Sequence, residues 1–206
     1  MPLPFPWITQ DEDRTILEKL QNHAIELGAE SAVLLDTHRI ITRDDLAALC
    51  KKPGCPNYGI AASCPPYVGG PQALLQDLEH YTHALFFRVH APKSQVFSAM
   101  LPEIMGQVHT IAASLEYKAL ELGFSKAKAF AGGSCKNIFC QDQPDCQVVA
   151  QNGPCRNPTL ARPSMSGFGI DVSALATAAG WPMLDKNANA TMDDAPMPLY
   201  GLVIMG

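Results

Sequence analysis

Between Asp11 and Leu27 the apolar residues Ile16, Leu17, Leu20, Ala24 and Leu27 recur at the three-and-four spacing of one helix face, and Gly28 supplies a stop. The pattern then shortens to SAVLLD (31–36), an unbroken apolar run that reads as a buried strand. Thr42 with Asp45 resembles a capping pair opening a short helix, RDDLAALC, that ends on Cys50. PQALLQDLEHY (71–81) reads as a helix, and HALFFRVH (83–90) as a strand rich in β-formers. The longest periodic stretch follows. It places Leu101, Ile104, Met105, Val108, Ala112, Leu115, Ala119 and Leu122 on one helix face, with Gly123 behind. AKAFAGG (127–133) is a further strand, VSALATAAG (172–180) a helix, and LYGLVIM (199–205) a closing strand.

This order predicts an α/β (α+β) fold, a sheet of roughly four strands with packed helices, in one domain over residues 1–206. The strand–helix–strand segment 83–131 predicts a right-handed crossover. Two stretches fit no period, residues 50–70 and 132–165. Both are dense in proline and glycine, and they hold all seven cysteines of the chain.

Composition narrows the meaning of those thiols. With 47% apolar and 17% charged residues, the chain can bury a core without covalent staples. Its net charge of −5 and scattered Lys and Arg argue against a nucleic-acid partner or an anionic-membrane patch. The first residues, MPLPFPWITQDEDR, lack the basic, apolar and small-residue regions of a signal peptide, and no apolar run approaches the ~20 residues of a membrane helix. The expected location is the cytoplasm. In that reducing compartment a disulfide framework is disfavoured, and seven cysteines cannot all pair.

The remaining chemistry is metal binding. The first set is Cys50-x4-Cys55-x8-Cys64, and the second is Cys135-x4-Cys140-x5-Cys146-x8-Cys155. Thiolates this close together repel one another unless a cation neutralises them, and a metal would also supply the ordering energy that such loops lack. Two metals compete. Structural zinc sites favour C-x2-C knuckles, often with histidine. The chain has no C-x2-C, and its histidines (23, 38, 80, 83, 90 and 109) all lie outside the cysteine loops. Iron–sulfur clusters are held by thiolates and tolerate wider spacing. Prolines flank Cys55, Cys64 and Cys155, where they limit the number of amides a loop must satisfy. Lys51, Lys52, Lys136 and Arg156 adjoin ligands and would offset cluster charge, while Tyr58, Tyr67 and Phe139 would exclude water. These features favour iron–sulfur, with a structural zinc scaffold as the alternative. His80 and His83 straddle a helix-to-strand joint, which suits surface or core histidines better than ligands.

The segments CPNYGIAASCPP and CRNPTLARPSMSGFGIDV resemble a family of cysteine-rich, predicted metal-binding proteins called domain of unknown function 2284, common in anaerobic bacteria and archaea. The first carries Cys55, Tyr58, Gly59, Cys64, Pro65 and Pro66, preceded by Cys50. The second half matches at Cys135, Cys140, Cys146, Cys155, Arg156, Pro158, Arg162, Pro163, Ser164, Gly169, Ile170 and Asp171. The resemblance implies metal binding, iron–sulfur in kind, in an anaerobic redox setting; it implies no reaction.

The expected division is a four-thiolate site of Cys135, Cys140, Cys146 and Cys155 and a three-thiolate site of Cys50, Cys55 and Cys64. Four thiolates close the coordination of a [4Fe-4S] cluster, whereas three leave one iron open. The expectation is therefore two clusters, serving electron transfer with a redox partner protein or acting on a small anionic or sulfur ligand at an open iron. Arg156 and Arg162 are the side chains expected to hold such an anion, because guanidinium matches carboxylate geometry.

Overall fold

The unbroken apolar run Ala84–Phe87 becomes the middle of a central strand that is buried on both faces. A computed structural model describes residues 11–51, 54–181 and 195–206. Strand β1 spans Ser31–Asp36, β2 His83–Pro92, β3 Ala127–Phe130 and β4 Pro196–Met205. They form one sheet in the order β1-β2-β4-β3, and every neighbouring pair is antiparallel. Strands β2 and β3 are therefore parallel to each other with β4 between them, and the chain joining them crosses β4 through a long helix.

Strand alternation divides the core in two. Leu85 and Phe87 of β2, with Val203 and Met205 of β4, pack on one face against Leu17, Leu20 and Ala24 of helix α1 (Asp11–Glu26). The same face receives Val108, Ala112, Leu115 and Ala119 of α5 (Leu101–Glu121). Ala84, Phe86, Leu202 and Ile204 point the other way. They meet Leu74 of α3 (Gly70–Leu78), Phe168 at the end of a 3-10 turn (Met165–Phe168), Ile170 just after it, and Leu175 of α8 (Val172–Ala178). Each buried Leu or Phe contributes roughly 1.5–3 kcal/mol, so both layers hold the sheet. Gly201 of β4 is required beneath Phe87, because a Cβ there would stand 2.2 Å from the ring.

The predicted fold class is the observed one, a mixed α/β fold on a four-stranded sheet. The local differences have simple causes. Thr42 and Asp45 do not form the expected cap: α2 (Asp44–Ala48) has Arg43 at its N-cap with no side-chain cap bond, because the Asp45 carboxylate turns to the Arg43 guanidinium at 3.0 and 2.6 Å. Single-turn helices too short to show a period appear at α4 (Lys93–Val96), α6 (Cys135–Phe139) and α7 (Gln147–Gln151). The last two lie in a loop whose sequence suggested no regular structure. Among the described residues no helix is long and apolar enough to cross a membrane.

Candidate metal centre

The two cysteine loops meet at the C-terminal end of β3. Ala131 continues that strand into a parallel bridge with Ser164, accepting from Met165 N–H and donating to Pro163 O, both at 3.0 Å. Ser164 N–H in turn donates to Ser63 O of the first loop at 2.9 Å. Asn137 Nδ2 reaches across to Asn57 Oδ1 at 2.7 Å. Cys64 and Cys135 are thereby buried together with Ala61 in one small apolar cluster.

His109 of α5 fastens both roots of the second loop. Its Nδ1 accepts from Arg162 N–H at 3.1 Å, so the ring proton sits on Nε2 and donates to Gly132 O at 3.0 Å. Burial lowers its pKa below the ordinary value of 6.5, more than the bonds to the backbone at Gly132 and Leu160 raise it. Phe139 packs edge-on against the ring, with centroids 5.3 Å apart. No local signal marks this role, since His109 lies outside both loops and reads as one more position on a helix.

The thiols stand around two separate cavities. Cys50, Cys55 and Cys64 line an open cavity of about 570 Å³, together with Arg43, Tyr58 and Asp171. Cys135, Cys140, Cys146 and Cys155 line a small one of about 20 Å³, with Phe139, Arg156 and Asn157. All seven cysteines are free thiols. Among the described residues no three His, Cys, Asp or Glu side chains converge on a single-ion site.

The surroundings oppose ionisation of Cys135, Cys64 and Cys50. Burial pushes Cys135 up to about 11, and the neighbouring thiols Cys155, Cys64 and Cys146 add to this against a hydrogen bond from Ser63. Burial also raises Cys64, over the opposing hydroxyls of Ser134 and Ser63, and it raises Cys50 with help from Cys55 and Cys64. Cys146 is shifted the other way. Burial alone would raise it, but bonds to the backbone of Ala62, Val149 and Val148, with the Arg156 charge, hold it below the ordinary range. The Ala62 contact brings the first loop onto a cysteine of the second.

Whether these residues suit a thiolate-held metal group is decided by the donors aimed at sulfur. Asn157 Nδ2 donates to Cys140 Sγ at 3.2 Å and Asn157 N–H to Cys155 Sγ at 3.4 Å. Ser63 Oγ lies 3.8 Å from Cys64 Sγ and accepts from Cys135 N–H at 3.4 Å. Ser134 Oγ is buried beside the Cys64 thiol. Donors with sulfur as their natural acceptor suit thiolate ligands, so the chemistry of the set fits. The volume of the small cavity admits about one water, so a cluster there requires the segment from α6 to Cys155 to part.

The charged residues fall into different positions. Arg156 lines the four-cysteine cavity and is tied to Asp145, through O at 3.0 Å and Oδ1 at 3.9 Å. Arg162 is buried. It pairs with Glu116 Oε1 at 3.1 Å and donates to the carbonyls of Pro158 and Ala161. Neither arginine stands in the wall of the three-cysteine cavity, whose guanidinium is that of Arg43. Lys136 Nζ is bound to the carbonyls of Cys140 and Gln143, Lys51 and Tyr67 are exposed, and Lys52 lies outside the described residues. His80 is exposed, and His83 packs on Phe124 at the start of β2, apart from both cavities.

A family model described as that of predicted metal-binding proteins, DUF2284, matches residues 33–205. The chain belongs to this family. The match covers both cysteine loops and all four strands except the first two residues of β1. No curated protein and no solved structure matches the chain.

Proposed function

We propose that this member of the family is an iron–sulfur protein with two [4Fe-4S] clusters. One is held by Cys135, Cys140, Cys146 and Cys155, the other by Cys50, Cys55 and Cys64 with one iron lacking a cysteine. The observation that carries this reading is the separate lining of two cavities, one by four thiols and one by three. Thiolate sets without knuckle spacing suit a cationic iron–sulfide core. Bound clusters would supply one-electron chemistry and, at the open iron, a Lewis-acid position.

The protein's own residues then have definite tasks. Asn157 orients Cys140 and Cys155 and stabilises their negative charge. Ser63 links the cysteines of the two sites, lying beside Cys64 Sγ and accepting from the amide of Cys135. Phe139 shields the four-cysteine cavity, which suits storage and transfer of electrons to a redox partner protein. The three-cysteine cavity is open, which suits a small ligand.

Anaerobically prepared protein should be brown, with a broad absorption that bleaches on addition of dithionite. A colourless protein holding stoichiometric zinc would replace this reading with that of a zinc scaffold.

A further inference from the structure

The lining of the three-cysteine cavity also contains a guanidinium fixed in place by the fold. Thr42 bridges Ile170 in antiparallel fashion, Arg43 N–H donates to Gly169 O at 2.8 Å, and Asp171 N–H donates to Ile41 O at 2.8 Å. Gly169 is needed for this approach. Its φ is +65°, and a Cβ would stand 2.3 Å from Arg43 O. The bridge sets Arg43 beside Asp171 in the cavity lining.

The hydrogen bonds of that pair leave one guanidinium edge open to a ligand. Asp171 is used on both oxygens: Oδ1 accepts from Ala174 N–H at 3.0 Å and Oδ2 from Arg43 Nη1 at 3.4 Å. Arg43 is used on one edge only. Nε and Nη2 grip Asp45, while the Nη1/Nη2 edge has just the long contact to Asp171. Among the described residues Arg43 keeps N–H groups on this edge without a close partner, while each Asp171 oxygen already accepts one bond. Leu46 and Ile170 beside them give the cavity an apolar flank, and 570 Å³ lies within the range of about 300–1,000 Å³ common for small-molecule sites.

The geometry points to a small organic carboxylate as the occupant of this cavity, its carboxylate on the Nη1/Nη2 edge of Arg43 and its far end against Cys50, Cys55 and Cys64. This gives the ligand class of the three-cysteine site and rests on the iron–sulfur reading for what that wall does to the ligand. The contact at Arg43 is independent of it. The apolar flank selects an organic body over an inorganic anion, and the planar free edge matches a carboxylate.

The test is fluorine NMR titration of the full chain with 4-fluorophenylacetate, with 4-fluorophenylacetamide as the uncharged control and iron and sulfide measured on every sample. The acid should bind and the amide should not. Arg43→Met should weaken binding about tenfold or more, as loss of a charge-assisted contact does. Asp171→Asn keeps a capping oxygen for Ala174 but frees Arg43, and it should tighten binding. Circular dichroism checks that both variants fold. Equal binding of acid and amide would overturn the inference, as would an Asp171→Asn protein that binds no more tightly than the parent. Zinc without sulfide, in a chain whose acid binding still follows Arg43 and Asp171, would remove the iron–sulfur reading and leave the carboxylate site standing.

Discussion

His109 shows how much one side chain outside the cysteine loops controls them. It satisfies Gly132 O and Arg162 N–H, which are the entrance and exit of the four-cysteine segment. Replacement by Ala orphans both backbone groups, at a cost of about 3 kcal/mol, to be read from urea unfolding midpoints. The same residue sets a pH dependence. Its folded pKa is depressed by burial below 6.5, so on acidification the unfolded chain takes up a proton that the folded one refuses. This contribution to stability is complete above about pH 6.5 and is lost as the pH falls from there toward the folded pKa. Unfolding midpoints at pH 7.5 and 5.5 should therefore differ more in the parent protein than in the His109→Ala variant. An equal difference in the two would remove His109 as the source. Cysteine identity was legible in the sequence at this scale, but the roles of His109 and Arg43 were not. Arg43 meets Asp171 across 128 residues of chain, and no local spacing encodes such a contact.

At the scale of elements, the long helices and the apolar strands follow directly from hydrophobic period. Leu101 to Leu122 marks α5, and Ala84 to Phe87 marks β2. The single-turn helices α6 and α7 were invisible because five residues hold too few apolar positions for a period. They matter, since Cys135 opens α6 and Cys146 is the N-cap residue of α7, its carbonyl accepting from Val149 and Ala150 N–H. The two cavities also let the thiol sets be tested apart. Cys140→Ala should remove about half of the bound iron and sulfide and spare the remainder, and Cys55→Ala should do the converse. If either change abolished all of the metal, the two loops would form one cooperative unit. The contact between Cys64 and Cys135 makes that the alternative to watch.

At the scale of the whole molecule, the layered α/β class was readable from the order of periods, but the strand order was not. The β1-β2-β4-β3 sheet puts the last strand between two earlier ones, and that choice depends on which faces α1, α5 and α8 can cover. Placing β4 centrally leaves β3 at the edge, with its C-terminal end free to carry both cysteine loops into contact. The fold thus converts two distant cysteine sets into adjacent sites while keeping their cavities separate. Whether these sites hold iron–sulfur clusters is measured by quantitative iron, zinc and acid-labile sulfide analysis of the full chain purified without oxygen. About eight iron and eight sulfide per chain are expected, as two [4Fe-4S] clusters require. One or two zinc ions per chain with no sulfide would contradict the iron–sulfur reading.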